Sequence, residues 1–257
     1  MLADFPSHDG LRHGSGDQRH CRSPRMKLAI MQPYFLPYIG YFQLIDTVDV
    51  FVVYDNIKYT KKGWINRNRL LLNGTDTTFT LPLSKGSDSL DIAERTLASN
   101  YDRPKLLNLF REAYRHAPHF AEVWPLVEAV IANPQVSLFD YIRDSIVRVC
   151  QALDIHTEII VSSRIDIDHA LRGQDKVIAL CQCLGATQYI NAQGGHSLYQ
   201  PEAFLAKGID LCFVRPGQIE YAQYGEPFVP WLSIVDVMMF NDNARRHELL
   251  KHRELFR

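Results

Sequence analysis

The sequence contains no long apolar run: none approaches the roughly 20 residues that a membrane-spanning helix requires. It also lacks an excess of charge: the net charge of −1 creates no overall field that would attract nucleic acid or a membrane surface. The composition, 46% hydrophobic and 22% charged over 257 residues, is typical of a soluble globular protein. We therefore expect a small-molecule partner, no nucleic acid and no membrane span.

Cysteine is scarce, and its placement excludes a disulfide-stapled fold. The five cysteines are odd in number and scattered along the chain, at Cys21, Cys150, Cys181, Cys183 and Cys212. This pattern predicts free thiols in the reducing cytoplasm. Cys181 and Cys183 have no second cysteine pair beside them, so they indicate small buried side chains rather than a metal site.

Several catalytic and cofactor motifs are also missing. The sequence has no glycine-rich dinucleotide fingerprint, no Walker loop, no Gly-x-Ser-x-Gly elbow and no His-Glu-x-x-His element. These absences leave the cofactor unknown and predict no metal.

The two ends of the chain differ in composition from its middle. Residues 1–25 are rich in Gly, Ser, His and Arg and lack the apolar core of a secretion signal, which predicts a disordered extension or a translation start at Met26. Residues 242–257 are charged and weakly helical in pattern, which predicts a tail. One α/β domain is expected between them, over residues 26–241.

The chain after Met26 opens with a strand–helix–strand pattern. Leu28–Met31 and Val50–Tyr54 have the length of buried strands, and Tyr38–Asp46 can form a short helix between them. Such a unit implies a parallel strand pair, and ligands in these folds collect at the carboxyl ends of the strands. Those ends carry Gln32, Tyr34 and Asp55.

A second succession of strands and helices follows from residue 158 to residue 214, after a helical segment at residues 101–153. Together the two successions predict an α/β fold with a mostly parallel central sheet flanked by helices. Asn73-Gly74 predicts a hairpin, and Leu90–Leu97 predicts a further short strand. The residues predicted to be buried are Phe51, Val53, Ile159, Val161, Leu211 and Phe213.

Two polar segments are candidates for a site. A basic loop with an indole follows the second strand, and it suits either an anionic ligand or plain solvation. Its candidate residues are Lys58, Trp64, Asn66, Arg67 and Arg69. The turn Gln193–His196 could direct amides at an anion, with His196 as acid or base, or could be an ordinary glycine turn. Asp55 is the first candidate for a catalytic base, although a turn-capping role is equally open.

These segments carry a resemblance to a known family. The runs Gln32–Phe42, Asp49–Asp55, Trp64–Arg69 and Phe228–Asp236 resemble the WbqC-like protein family, with further matches at Gly194, Gly195 and Tyr199. The resemblance implies a role in bacterial surface polysaccharide synthesis, such as lipopolysaccharide O-antigen, by transfer of an acyl or aminoacyl group to a nucleotide-linked amino sugar. It does not extend to His196.

Two other functions stay open. One is a non-catalytic nucleotide-sugar-binding or scaffold protein of the same pathway. The other is a nucleotidyltransferase-like enzyme, since the opening resembles nucleotidylyltransferases and pantothenate synthetase. Those proteins carry His-x-Gly-His where this chain has Tyr38-Ile39-Gly40-Tyr41, and tyrosine is a poor acid at neutral pH. This comparison therefore supports a similar fold more than nucleotidyl transfer.

The fold prediction implies that one pocket gathers distant motifs, because strand ends in a parallel sheet meet at one edge. The residues expected to converge are Gln32, Tyr34, Asp55, Asn66, Arg67, Gln193, Gly194 and Gly195. The other expected substrate-binding residues are Tyr38, Gly40, Tyr41, Lys58, Trp64, Arg69 and Tyr199. Their ligand is expected to be phosphorylated or nucleotide-linked.

Overall fold

The structure, a computed structural model, describes residues 25–257, and these residues form an α/β fold. The extension predicted for residues 1–25 therefore lies outside the described residues, apart from Arg25. A mostly parallel six-stranded sheet has helices on both faces, which confirms the predicted fold class. None of the described helices is both long enough and apolar enough to cross a bilayer.

The main sheet has the strand order β5-β2-β1-β6-β7-β8, and only the pairing of β7 with β8 is antiparallel. A separate hairpin joins β3 to β4 through Asn73 and Gly74, both of which have positive φ, so the predicted hairpin is confirmed. The strands are β1 (Lys27–Met31), β2 (Val50–Val53), β3 (Arg67–Leu72), β4 (Thr75–Thr80), β5 (Glu158–Val161), β6 (Gln188–Ala192), β7 (Asp210–Pro216) and β8 (Arg253–Phe256).

Helix ends follow local capping chemistry. Asp102 accepts a hydrogen bond from Lys105 N at the start of α2, and Ser137 accepts one from Asp140 N at the start of α4. The helical segment predicted for residues 101–153 is confirmed as α2 to α4. The helices are α1 (Ile39–Ile45), α2 (Arg103–Tyr114), α3 (Phe120–Ile131), α4 (Leu138–Ala152), α5 (Gly173–Cys183), α6 (Pro201–Leu205), α7 (Ile234–Phe240) and α8 (Asn243–Lys251).

The sheet separates two apolar cores. Successive side chains of a strand point to opposite faces, so Val50 and Val52 pack on one side while Phe51 and Val53 pack on the other. Five of the six residues predicted to be buried are buried, and Ile159 is the exception. Ile159 lies on β5, an edge strand, where one flank of the sheet is left partly open.

Two segments differ from their predicted structure. Leu90–Leu97 is not a strand: a short 3₁₀ helix, Ile92–Glu94, interrupts it, and Asp91 and Glu94 close a capping box around that turn. Residues 242–257 are not a tail, because they form α8 and the edge strand β8.

The C-terminal segment is tied to the centre of the fold by α1. Gln43 of α1 is fully buried, and its Nε2 donates to Leu249 O at 2.7 Å and to His252 O at 3.0 Å. Leu249 and Leu250 are buried as well. The last helix therefore covers α1, which itself supports the candidate site described below.

We expect Leu250→Ala to lower the free energy of unfolding by about 2–3 kcal/mol, because it leaves a cavity between α8 and the core. Urea denaturation monitored by circular dichroism measures the change. Leu255→Ala is the matched control, since Leu255 is exposed on β8 and its loss should cost less than about 0.5 kcal/mol. Equal small effects from both substitutions would mean that α8 is not part of the cooperative fold.

Candidate functional site

The principal cavity lies where the strand order reverses. From β1 the chain builds the sheet outward through β2 and β5, and from β6 it builds the other side through β7 and β8. Ligands of open α/β sheets bind at such a reversal, outside the carboxyl ends of the strands. Here a cavity of ≈ 610 Å³ opens between the ends of β1 and β6.

The cavity wall comes from segments far apart in sequence, and most of it is apolar. Gln32 and Asn191, near the ends of β1 and β6, and Gln174 supply side-chain amides, and tyrosine side chains supply hydroxyls. Of the residues predicted from sequence, the wall contains Gln32, Tyr34, Tyr38, Gly40, Tyr41, Gly194, Gly195 and Tyr199.

The tyrosines of the wall keep their protons at neutral pH. Burial raises the pKa of Tyr34, Tyr38, Tyr41 and Tyr199, and it raises that of Tyr54 to about 12. Tyr41 OH donates to Gln32 O at 3.0 Å, which fixes the turn after β1. The wall therefore offers neutral hydrogen-bonding hydroxyls beside flat apolar rings.

The first turn of α5 faces the cavity and brings a positive charge near it. Gly173, with φ 51°, and Gln174 belong to the wall, so the amino end of the helix points at the ligand space. Lys176 is only 1% exposed, and its Nζ donates to Asn56 O at 3.3 Å and lies 5.1 Å from the Tyr54 ring centroid. Burial lowers the pKa of Lys176, Arg172 lowers it further, and Asp91 and Asp55 oppose the shift.

Lys176 was not predicted from the sequence. Its position just before the apolar pair Val177-Ile178 is the one signal that could have suggested it, since both neighbours are buried.

Asp55 lies behind the wall rather than in it. Its Oδ1 accepts hydrogen bonds from Ser162 Oγ at 2.7 Å and Ser163 N at 2.9 Å, which ties the end of β2 to the end of β5. Asn56 continues the network, because its Nδ2 lies 2.9 Å from His169 Nδ1. Among the predicted convergent residues, Gln32, Tyr34, Gly194 and Gly195 meet in the cavity, whereas Asp55 does not line it.

The basic loop is largely engaged with itself. Asn66 is buried and bonds to Tyr59 OH at 2.8 Å and Leu81 O at 2.7 Å. The Arg67 guanidinium donates to Lys62 O and Gly63 O. Neither side chain belongs to the cavity wall, and Lys58 is exposed in an isolated bridge opposite Asp91.

The other half of the glycine turn also faces away from the wall. The exposed His196 ring lies 4.9 Å from Phe213 and 6.2 Å from Phe256, measured between ring centroids, so it packs over β7 and β8. Gln193 is exposed next to it. Within the described residues, no group of three His, Cys, Asp or Glu side chains could hold a metal ion.

A second space adjoins the cavity through Tyr34 and Tyr38, which line both. We call it the aromatic hollow: it measures ≈ 290 Å³ and is lined by Tyr34, Pro37, Tyr38, Trp64, Asn68, Arg69 and Trp231. The sequence predicted Trp64 and Arg69 as ligand-binding residues but not Trp231. The structure therefore places these two predicted residues together, outside the principal cavity.

A buried carboxylate holds the loop that carries Trp231. Asp236 is 0% exposed and accepts hydrogen bonds from Tyr221 OH at 2.7 Å, Gln223 Nε2 at 2.9 Å and Tyr114 OH at 3.0 Å. Burial raises the pKa of Asp236 to about 6, against the opposing effect of its donors. This network was not predicted from the sequence. Ser233, which accepts a hydrogen bond from Val235 N, caps the start of α7 just before Asp236.

A sequence model of the WbqC-like protein family matches residues 32–248. The chain is also similar to the Uncharacterized protein Rv1507c of Mycobacterium tuberculosis (strain ATCC 25618 / H37Rv), with 30% identity over 230 residues. That alignment covers 88% of this chain and 98% of the mycobacterial protein. The matched span includes the aromatic hollow, the Asp236 network and all of the cavity wall except Ile30 and Met31.

Proposed function

The chain belongs to the WbqC-like protein family, and from this premise we propose that its cavity binds a nucleotide-linked amino sugar. We propose further that the protein transfers an acyl or aminoacyl group to the sugar amine, as a step in bacterial surface polysaccharide synthesis such as that of O-antigen. The observation that carries the proposal is the cavity of ≈ 610 Å³ at the strand reversal, whose wall includes Gln32, Gly194 and Gly195 from the motifs that resemble the family.

The size and lining of the cavity support a ligand of this class. Small-molecule sites occupy roughly 300–1,000 Å³ and combine apolar walls with a few placed polar groups. Gln32, Asn191 and the tyrosine hydroxyls are such groups. Tyr34 and Tyr38 connect the cavity to the aromatic hollow, so the combined space is longer than one ring system.

Charge near the cavity supports a phosphorylated ligand. The amino end of α5 carries unpaired backbone amides and a partial positive charge, both of which favour an anion. Lys176 lies in the first turns of the same helix and is close to Tyr54 of the wall. A diphosphate at this end would receive hydrogen bonds from the backbone amides, and the buried Lys176 would add a favourable charge from behind the wall.

The transfer forms an amide bond between the sugar nitrogen and the carbonyl carbon of the donor. The donor's leaving group departs with the bonding electron pair, and the nitrogen gives up a proton to a base. Asp55 remains the proposed base, since it lies immediately after Tyr54 of the wall. Lys176 is the second candidate, because its Nζ lies 5.1 Å from the ring centroid of Tyr54 and burial lowers its pKa.

One observation favours a second candidate function, non-catalytic binding of the nucleotide sugar. The described residues that line the cavity include no aspartate, glutamate, histidine or cysteine. A wall of neutral amides and protonated tyrosines binds well but offers no group that titrates near neutral pH.

The experiment that separates these candidates measures binding and turnover with the same protein. Isothermal titration with UDP-glucosamine, UDP alone and glucosamine tests binding, and mass spectrometry of mixtures with acyl and aminoacyl thioesters tests N-acylation. Binding with acylation lost in Asp55→Asn or Lys176→Met supports transfer and identifies the base. Binding without acylation by any donor supports the binding protein, and absence of binding by every nucleotide sugar refutes both.

A matched pair of glycine variants tests whether the cavity is the binding site. A Cβ at Gly195 would lie 2.7 Å from Asn191 Nδ2, whereas a Cβ at Gly194 would meet no heavy atom within 4 Å. We expect Gly195→Ala to displace Asn191 and weaken binding roughly tenfold, about 1.4 kcal/mol. Gly194→Ala should stay within about threefold of the wild type, since it adds a methyl group in open space.

Titration calorimetry with UDP-glucosamine measures the affinity of both glycine variants, and thermal unfolding checks that both are folded. Equal affinities for both variants would place the ligand elsewhere on the protein.

A further inference from the structure

We propose that the aromatic hollow between Trp64 and Trp231 is a carbohydrate subsite, which holds the pyranose ring of the substrate while the principal cavity holds the nucleotide. The inference deepens the proposed function and rests on it for the choice of a nucleotide-linked sugar. Four features of the hollow support it: the Trp64 indole is fixed, the Trp231 backbone is strained, Arg69 supplies hydrogen-bond donors, and two tyrosines are shared with the cavity.

Trp64 presents a ring that is held in place from one side. The Cζ atoms of Arg67 and Arg69 lie 5.5 and 5.4 Å from its ring centroid. These arginines are two residues apart on β3 and therefore project to the same side of the strand. Cation–π contacts thus fix the indole, although it is still 45% exposed. An indole fixed before binding loses little conformational freedom when a ligand stacks on it.

Trp231 is held outward at an energetic cost. Its φ of 62° lies in the left-handed region, where a bulky side chain is strained, and the residue is 61% exposed. Arg69 Nη2 donates to Trp231 O at 3.3 Å, and Ser233 N donates to Arg69 O at 2.9 Å, which locks the turn against β3. Because most of the side chain is exposed, its contact with the Tyr38 ring recovers only part of this strain, and we take ligand contact to be the reason why it is retained.

Arg69 supplies hydrogen-bond donors to this largely aromatic space. Its Nη1 donates to Asp76 and its Nη2 donates to Trp231 O, and each of these nitrogens carries a second N–H. The Arg69 side chain lines the hollow and is 27% exposed, so a hydroxyl of a bound sugar can accept from it.

The chemistry of a pyranose fits these features better than that of a nucleobase. A pyranose has an apolar C–H face for an indole and equatorial hydroxyls around its rim, so it needs rings and donors together. The hollow supplies two indoles, the Tyr38 ring 5.6 Å from Trp231, and the Arg69 donors. Because Tyr34 and Tyr38 line both spaces, a sugar in the hollow stays joined to a nucleotide in the cavity.

The chain offers an internal control for the test, since it contains three tryptophans and the third, Trp124, stacks on Phe120 away from the hollow. We expect Trp64→Ala and Trp231→Ala to weaken UDP-glucosamine binding roughly tenfold or more, because each loses a stacking ring. The affinity for UDP alone should be unchanged in both variants. Trp124→Phe should bind both ligands as the wild type does.

Trp231→Gly separates a ligand role from a structural one. Glycine adopts positive φ without strain, so this variant should keep a thermal midpoint close to that of the wild type and still lose the sugar contribution. Wild-type affinity for UDP-glucosamine in the Trp64 and Trp231 variants would overturn the subsite, as would an equal loss for UDP alone, which would indicate a base in the hollow. In either case, if Gly195→Ala weakened UDP-glucosamine binding and Gly194→Ala did not, the proposed function would still stand.

Discussion

Replacing Asp236 by alanine is expected to lower the free energy of unfolding by about 4 kcal/mol, a change of roughly a thousandfold in the folding equilibrium. The substitution leaves Tyr114 OH, Tyr221 OH and Gln223 Nε2 without their acceptor in a site that excludes water. Each stranded donor adds its own desolvation penalty, and the missing carboxylate leaves a void. Urea denaturation measures the loss.

Asp76→Ala is the matched control for this experiment. Asp76 is also hydrogen-bonded, to Arg69 Nη1 at 2.8 Å, but its side chain is 47% exposed. Ion pairs of this kind contribute roughly 0.2–1 kcal/mol. If Asp236→Ala cost no more than Asp76→Ala, the network at Asp236 would contribute little to the fold.

The pH dependence of stability should carry the signature of the same carboxyl. Its pKa is raised to about 6 in the folded protein, above the value near 3.9 of an unfolded chain. Between these values the folded state binds the proton and the unfolded state does not, so the contribution to stability is complete below about pH 4 and is lost as the pH rises through about 6. The expected change is about 3 kcal/mol. In Asp236→Asn the unfolding free energy should lose this slope, and an unchanged slope would assign it to other groups.

Phe51→Ala is expected to destabilise the fold by about 4 kcal/mol and to weaken ligand binding as well. Phe51 is fully buried on β2, and its ring centroid lies 5.4 Å from that of Tyr41. Tyr41 lines the cavity and bonds to Gln32 O, so a void behind it loosens the wall. Chemical denaturation gives the first effect, and calorimetry with UDP-glucosamine gives the second.

Val136→Ala controls for the loss of apolar side chain alone, because Val136 is 60% exposed and its truncation should cost less than about 0.5 kcal/mol. A destabilised Phe51→Ala protein that binds with wild-type affinity at low temperature would show that the wall does not depend on this support.

The main strands and the helical segment could be predicted because local patterns determine them. Val50–Val53 is uniformly apolar, as a strand covered on both faces must be. Ser137 caps the start of α4 with its own side chain. The tail prediction failed because α8 buries few side chains, chiefly Arg246, Leu249 and Leu250, so its sequence shows almost no amphipathic pattern. Tertiary contacts, such as those of Gln43 with Leu249 O and of Arg246 with Met238 O, explain why it is ordered.

Part of the candidate site could be predicted, because the order of strands and helices determines where strand ends meet. Gln32 and Gly194 follow parallel strands, so the topology alone brings them to one edge. The orientation of Asp55 depends on Ser162, 107 residues away, and no local pattern encodes that hydrogen bond. Lys176 and Asp236 were missed because burial, which gives each its shifted pKa, is a property of the packed fold.

The tyrosine wall also sets an upper limit on the pH at which the protein stays folded. Five phenols of the cavity hold their protons more tightly in the native state than the roughly 10 of a free tyrosine, with Tyr54 at about 12. Above that point an unfolded chain ionises these groups first, so alkali draws the equilibrium toward unfolding. The same rings that keep the ligand space neutral thus link the unfolding of its wall to their own ionisation. In an alkaline titration, the rise of tyrosinate absorbance should therefore coincide with unfolding.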